Sequence, residues 1–193
     1  MYKQKDFYFK KAKEEGFRAR SVYKLFNLNK KYHIISKNNK VLDLGCSPGS
    51  WLQASLKIVG TNGFVLGIDI IPIKEIKNTK FIQADITEKE TIEKIKSISD
   101  NFDVIISDLS PKTSGIKELD NEKSIQLNEA ALKISEQVIK ENGNFLCKIF
   151  QGPYFQEFLK NISKKFKFVK CHKPEASRKE SKEIYIIAKG FKK

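Results

Sequence analysis

Cysteine is scarce, with three residues in 193, and their placement excludes the frameworks that cysteine usually builds. Cys46, Cys147 and Cys171 are odd in number and widely spaced, each in or beside an apolar segment, so neither a disulfide network nor a CxxC zinc site is indicated. They read as buried thiols. Histidine is scarcer still: His33 and His172 stand alone, read as uninvolved in chemistry, and no His/Cys/Asp cluster offers a metal site. Long apolar runs are missing too. Nothing approaches the roughly 20 residues needed to cross a bilayer, and the N-terminal MYKQKDFYFKK lacks the apolar stretch of a signal peptide. The expectation is an intracellular, cytoplasmic protein, or an organellar one if a targeting segment has been removed. Internal repeats and low-complexity linkers are absent, and 40% hydrophobic content over this length suits one domain spanning 1–193.

What is abundant is positive charge, and its distribution says more than its total of +14. Residues 1–40 hold 12 Lys and Arg against 3 Asp and Glu; residues 160–193 hold 12 against 3; the middle holds 13 against 17. A fold that brings the ends together makes one basic face of the kind that binds a polyphosphate backbone. Neither end shows the broad apolar face of a membrane-surface helix, so the expected partner is nucleic acid and not a membrane.

From Lys40 onward, KVLDLG, GFVLGIDII, KFIQAD, FDVIISDLS, GNFLCKIF, FKFVKCH and EIYIIAKG read as seven strands, several apolar on both faces. WLQASLKIV, TEKETIEKIKSI, residues 122–140 and PYFQEFLKNIS carry helical spacing, with Leu127, Ala131, Ile134 and Val138 on one stripe and Pro153 suited to a first helical turn. Two short basic helices are expected around 4–15 and 19–32. This βαβα alternation predicts an α/β protein with a doubly wound, mostly parallel sheet. The last two strands are joined by a link too short for a crossover helix, so they should run antiparallel to each other.

In such sheets ligands bind beyond the carboxyl ends of the strands, and the turn after the first strand is the usual contact. Here it reads VLDLGCSPGSW, where Gly45 and Gly49 let backbone approach a ligand and Pro48 stiffens the turn. The spacing is not the G-x-G-x-x-G of a dinucleotide site, which argues against a nicotinamide-dependent dehydrogenase. It suits a ligand with adenosine but no phosphate at that turn, such as S-adenosylmethionine; an ordinary strand-to-helix turn reads the same way. Asp69, Asp85 and Asp108 close the next three strands. One such acid is often a cap or turn former, but three on a single sheet edge point to ribose and adenine recognition.

Lys148 stands in FLCKIF, where a lysine must find a carboxylate, lose its proton or reach solvent along its stem. Lys24 in SVYKLF and Glu183 in KEIYII raise the same question. Taken in order, RARSVYKL, VLDLGCSPGSW, SDLSPKTSG, FLCKIFQG and KPEASRKESKEIYIIAKG resemble the FtsJ/RrmJ family of ribosomal RNA 2′-O-methyltransferases over nearly the whole chain. The resemblance implies a Rossmann-like class I methyltransferase: a seven-stranded, mostly parallel sheet with the last strand antiparallel and helices on both faces. It also implies a catalytic tetrad of Lys24, Asp108, Lys148 and Glu183, and S-adenosylmethionine contacts on Gly49, Trp51, Asp69, Asp85 and Asp108. The substrate it implies is ribosomal RNA of the large subunit, most often a uridine, and the chain is expected to act as a monomer without metal. The chain departs from the family's P-G-G-W at Ser50 and from its P-N-x-S-G at Lys112-Thr113. The basic residues assigned to RNA are Lys10, Lys11, Arg18 and Arg20 in the N-terminal segment 1–35, and Arg178 near the other end.

In this scheme Lys148 is the base that removes the hydroxyl proton, its pKa lowered by burial and by Lys24, while Asp108 and Glu183 orient it. Lys24 stabilises developing charge on the 2′-oxygen. Relatives with the same tetrad modify transfer RNA or the messenger RNA cap. A non-catalytic RNA-binding assembly factor is the alternative from another class; loss of a tetrad residue is its usual mark, and none is lost.

Overall fold

The computed structural model of the chain describes residues 2–177 and 182–193, with side chains from residue 7 onward. Arg178 lies outside the described residues. The seven apolar runs form β1 (Lys40–Leu44), β2 (Phe64–Asp69), β3 (Lys80–Gln83), β4 (Phe102–Ser107), β5 (Ile139–Phe150), β6 (Phe166–His172) and β7 (Glu183–Phe191). They make a single sheet in the order β3-β2-β1-β4-β5-β7-β6. β7 is antiparallel to both β5 and β6, and every other pairing is parallel. The chain winds outward from β1 through β2 and β3, then restarts on the other side of β1 with β4 and β5. The topological switch point therefore lies between β1 and β4, where open α/β sheets receive their ligands.

Side-chain alternation explains why these runs are apolar on both faces. On β5, Leu146 enters one core while Phe145 and Cys147 enter the other; on β7, Tyr185 and Ile187 oppose Ile186 and Ala188. The first core is closed by α2 (Val22–Tyr32) and α3 (Ser50–Val59), with Ala12 of α1 (Tyr2–Glu14) against it. The second is closed by α4 (Glu90–Lys96), α5 (Lys117–Val138) and α6 (Phe155–Lys165).

Several boundaries differ from expectation, each for a local reason. α5 starts at Lys117, directly after Gly115 at φ 84 turns the chain, rather than at 122. β5 starts at Ile139 because the chain bulges after its first pairing: Phe102 faces Ile139, but Val104 faces Asn144. Asn142 takes a left-handed φ of 62, and Gly143 packs so close to Ile139 that a Cβ would lie 2.6 Å from its Cγ1. Pro153 falls in the turn before α6 instead of in its first turn. Leu127 is only partly buried, and the inner face of α5 carries Ser124, Asn128 and Ser135 beside Ala131, Ile134 and Val138. Cys46 and Cys147 are buried as expected; Cys171, on the outermost strand β6, is half exposed, and all three thiols are free.

The two basic ends meet. Arg20 Nη2 donates to the Ala176 carbonyl at 2.9 Å, Lys189 Nζ to the Tyr32 carbonyl at 3.0 Å, and the Tyr32 and His172 rings meet edge to face. Among the described residues no helix is long and apolar enough to cross a membrane.

Phe145, fully buried in β5 and stacked on Phe166 at 6.1 Å between centroids, ties β5 to β6 through the core. Phe145→Ala is expected to cost about 3–5 kcal/mol of unfolding free energy, read from urea denaturation. A cost below about 1 kcal/mol contradicts the central placement of this ring.

Candidate active site

Four charged side chains from four separate segments converge beyond the ends of β4 and β5. Asp108 follows β4. Lys148, near the end of β5, is 5 % exposed and faces Tyr185 of β7 across the ladder. Glu183 opens β7 opposite Phe150. Lys24 lies in the first turn of α2.

They resolve into two ion pairs. Lys148 Nζ lies 3.2 Å from Asp108 Oδ1 and donates to the Asp108 backbone carbonyl at 2.8 Å. Lys24 Nζ donates to Glu183 Oε2 at 2.8 Å. Tyr185 joins the pairs: its hydroxyl donates to Asp108 Oδ1 at 2.7 Å, and the Lys24 ammonium sits 5.6 Å from its ring centroid. Burial, the Asp108 charge and that hydrogen bond hold the Tyr185 phenol far above its usual pKa, so it stays a donor. Glu183 therefore partners Lys24, in place of the expected role of orienting Lys148. Asn128 of α5 supports the site from below. Its amide donates to the Lys148 carbonyl at 2.9 Å, beyond the last pairing of β4 with β5 at Ser107 and Cys147.

The neighbouring side of the switch point carries the glycine loop. Gly45 N–H and Cys46 N–H both donate to the Ile68 carbonyl, Gly49 N–H bonds back to Cys46, and the Ser47–Pro48 peptide is cis. Gly45 and Gly49 adopt φ of 79 and 106, and an added Cβ would lie 2.4 Å from Leu109 Cδ2 at the first and 2.9 Å from Arg18 Nη1 at the second. Each glycine is thus required by the protein's own packing, in addition to any ligand. Asp69 organises the loop, with Oδ2 accepting from Ser47 N–H and Oδ1 from Ile71 N–H, both at 2.8 Å. Asp85 Oδ1 accepts from the Thr87 N–H and hydroxyl, the turn-forming role that short acids often take. Asp69 closes β2, and Asp85 and Asp108 follow β3 and β4, three strands that end on one sheet edge.

Three residues assigned from sequence have other work here. Trp51, read as a cofactor contact, is 2 % exposed; its indole N–H donates to the Ser21 carbonyl at 3.0 Å and its ring stacks on Tyr185 at 6.0 Å, so it braces the tetrad. Arg18, read as an RNA contact, donates to the carbonyls of Pro48, Lys74 and Glu75 at 3.0, 2.7 and 2.9 Å. Arg20 holds Ala176 as described above. By contrast Lys10 is exposed on α1, and Lys11 lies near Glu15 and over the Phe7 and Tyr23 rings. Ser50, the departure from P-G-G-W, is buried with its hydroxyl 3.0 Å from that of Ser21. Ser114, after the second departure, donates its N–H and hydroxyl to Asp120 Oδ1 at the start of α5, at 2.7 and 2.9 Å.

Two residues of the site have no place among the sequence expectations, Asp43 and Tyr185. Asp43 is fully buried in β1, and neither carboxyl oxygen has a hydrogen-bond partner among the described residues. Burial, then the charges of Asp108 and Asp69, push its pKa well above the carboxylate range and favour the neutral acid. The reasoning applied to Lys148, a charge in an apolar strand, finds Asp43 as well. Among the described residues no group of His, Cys, Asp and Glu is arranged to hold a metal.

The FtsJ-like methyltransferase family model matches residues 17–191. A ribosomal RNA large subunit methyltransferase E of Archaeoglobus fulgidus is 44% identical over 193 residues, covering both chains completely. The protein of that description from Methanothrix thermoacetophila is 46% identical over 96% of this chain and 72% of its own length. A crystal structure from Plasmodium falciparum, described as a ribosomal RNA methyltransferase, superposes with a TM-score of 0.81 at 31% identity, covering 91% of this chain and 98% of that one. Fibrillarin of Aeropyrum pernix, at a TM-score of 0.60 and 13% identity over 80% of this chain and 68% of that one, shares the fold.

A carboxyl protonated in the fold but ionised when unfolded favours folding fully below about pH 4, and that contribution is lost as pH rises toward its folded pKa. Asp43→Asn is therefore expected to flatten the fall in stability as pH rises above about 4, measured by urea unfolding. An unchanged pH dependence means Asp43 is ionised in the folded protein.

Proposed function

The chain belongs to the FtsJ-like methyltransferase family, and on that premise we propose that it transfers a methyl group from S-adenosylmethionine to a ribose 2′-hydroxyl of large-subunit ribosomal RNA. The observation that carries the reading is the pair of ion pairs, Lys148 with Asp108 and Lys24 with Glu183, joined by Tyr185 beside the switch point. The residues beyond β1 and β2 fit the donor. Asp69 accepts one backbone hydrogen bond on each oxygen and keeps lone pairs for ribose hydroxyls. Ile70 and Ile71 follow it as exposed apolar side chains suited to an adenine face. Bound there, S-adenosylmethionine supplies an electrophilic methyl on a sulfonium.

The chain's own residues do the rest. Two directions around Lys148 Nζ are taken by Asp108, leaving the third for a substrate oxygen. In its neutral form that nitrogen accepts the hydroxyl proton as the new C–O bond forms. Lys24, held by Glu183, sets a positive charge beside the developing oxyanion. Asp108 and Tyr185 fix the lysine so that little reorganisation is left for the moment of transfer.

RNA is the partner that the surface suits. The basic ends are joined, and α1 presents Phe7 and Phe9 at 58% and 60% exposure among its lysines, the mixture of stacking rings and cations that single-stranded nucleic acid uses. The intact tetrad favours an enzyme over an assembly factor, and the names of the relatives favour ribosomal over transfer or messenger RNA.

The test is incubation with methyl-labelled S-adenosylmethionine and large ribosomal subunits or their RNA, followed by mapping of the label. Label on a ribose 2′-oxygen is expected; label confined to bases refutes the reading. Lys148→Ala is expected to lower transfer by about 10²–10⁴-fold with donor affinity nearly unchanged. Turnover within about ten-fold of wild type removes Lys148 from the role of base. Lys10→Ala and Lys11→Ala are expected to weaken RNA binding and to reduce the slope of log affinity against log salt by roughly 0.7–0.9 for each phosphate that is no longer neutralised. Unchanged affinity at low salt contradicts the α1 surface.

A further inference from the structure

Building on the assignment of the glycine-loop crevice to the methyl donor, we propose that Arg18 is a positioning residue for that donor. It clamps together the two loops that frame the crevice. Nη1 donates to Pro48, in the loop after β1, and to Lys74, in the loop after β2; Nη2 donates to Glu75 in the second loop. Both hydrogens of Nη1 are thus engaged, one on each loop. The two loops belong to neighbouring parallel strands and have no continuous chain between their tips shorter than α3 and β2. A planar fork with fixed donor directions holds such a separation, whereas a lysine ammonium at the end of its flexible stem does not.

The surroundings are cut to this group. The space that a side chain on Gly49 would fill is occupied by Arg18 Nη1 and Ile76 Cδ1, at 2.9 and 2.8 Å from the ideal Cβ position. The Arg18 N–H donates to Gln53 Oε1 at 2.9 Å, and Gln53 Nε2 returns a bond to the Gly16 carbonyl at 3.0 Å, so the arginine's backbone is fixed to α3 as well. Trp51 to Ser21 and Ser21 to Ser50 continue the same seam. Six residues beyond Arg18, the segment delivers Lys24 to Glu183. One piece of chain therefore carries the clamp on the donor loops, the Arg20 bond to the far basic end and one member of the tetrad.

A basic residue next to an RNA-binding face has an alternative role as a phosphate ligand, and the two differ in what they change. Wild type, Arg18→Ala and Arg18→Lys are titrated with S-adenosylhomocysteine by calorimetry, melted without ligand, and assayed for KM and kcat. RNA affinity is followed against salt. Both variants are expected to raise the Kd for S-adenosylhomocysteine and the KM for S-adenosylmethionine by about ten-fold, with kcat at saturating donor within about three-fold of wild type and the salt slope unchanged. Arg18→Lys decides the matter if Arg18→Ala does not fold. Donor affinity within about two-fold of wild type in the folded variants overturns the proposal. So does a reduced salt slope with donor affinity kept, which makes Arg18 a phosphate ligand. So does a fall in kcat with KM unchanged, which is the mark of fewer folded molecules. Failure of the wild-type protein to bind S-adenosylhomocysteine at all removes the donor reading itself, and the clamp with it.

Discussion

An ammonium taken out of water must be met by a carboxylate, and this constraint organises the region around the switch point. The idealised cost of desolvating such ions is large, and attraction offsets it only where geometry is good and the remaining donors are satisfied. Lys148 meets the first condition through one residue, Asp108, which offers a carboxylate oxygen and a backbone carbonyl to two of its three donor directions. That requires β4 to end where it does, β5 to run alongside it in parallel register to Cys147, and Asn128 of α5 to take over the Lys148 carbonyl when the ladder stops. The fold is thus arranged so that the amine is held by backbone and not by a mobile side chain alone.

Tyr185 makes two pairs into one unit. Its ring lies under the Lys24 ammonium, its hydroxyl bonds Asp108, and Trp51 of α3 stacks on it. Because β7 enters antiparallel between β5 and β6, Tyr185 stands opposite Lys148 and Glu183 two residues earlier reaches Lys24. The inserted last strand is therefore what brings the fourth charge to the site. Before α2 begins, the N-terminal segment is fastened to α3 through Ser21 and the Arg18 N–H, and to the glycine loop through the Arg18 guanidinium. A segment outside the sheet carries one quarter of the tetrad, and those bonds hold it in place.

Much of this is legible in the chain. Seven apolar runs give seven strands, three acids fall at three strand ends, and the ordered motifs name four charged residues that the fold brings together as two ion pairs. What stays hidden depends on partners distant in sequence. Nothing in RARSVYKL reveals that Arg18 will meet carbonyls 30 and 57 residues away, so a surface base and a clamp read alike. Tyr185 reads as an ordinary strand aromatic until the register places it against Lys148. Asp43 escapes a search confined to acids that close strands, although an acid inside VLDLG poses the same desolvation problem as the lysine inside FLCKIF. The early start of β5 is masked by a polar, glycine-containing stretch, Lys140 to Asn144, that forms a bulge instead of an end.

The central claim is that Lys148, held by Asp108, faces a ribose oxygen. A crystal structure with S-adenosylhomocysteine and an oligoribonucleotide addresses it directly. The account predicts a 2′-oxygen within hydrogen-bonding distance of Lys148 Nζ, about 3 Å, with the contact to Asp108 kept. A base nitrogen or carbon in that position, with the ribose turned away from both lysines, contradicts it.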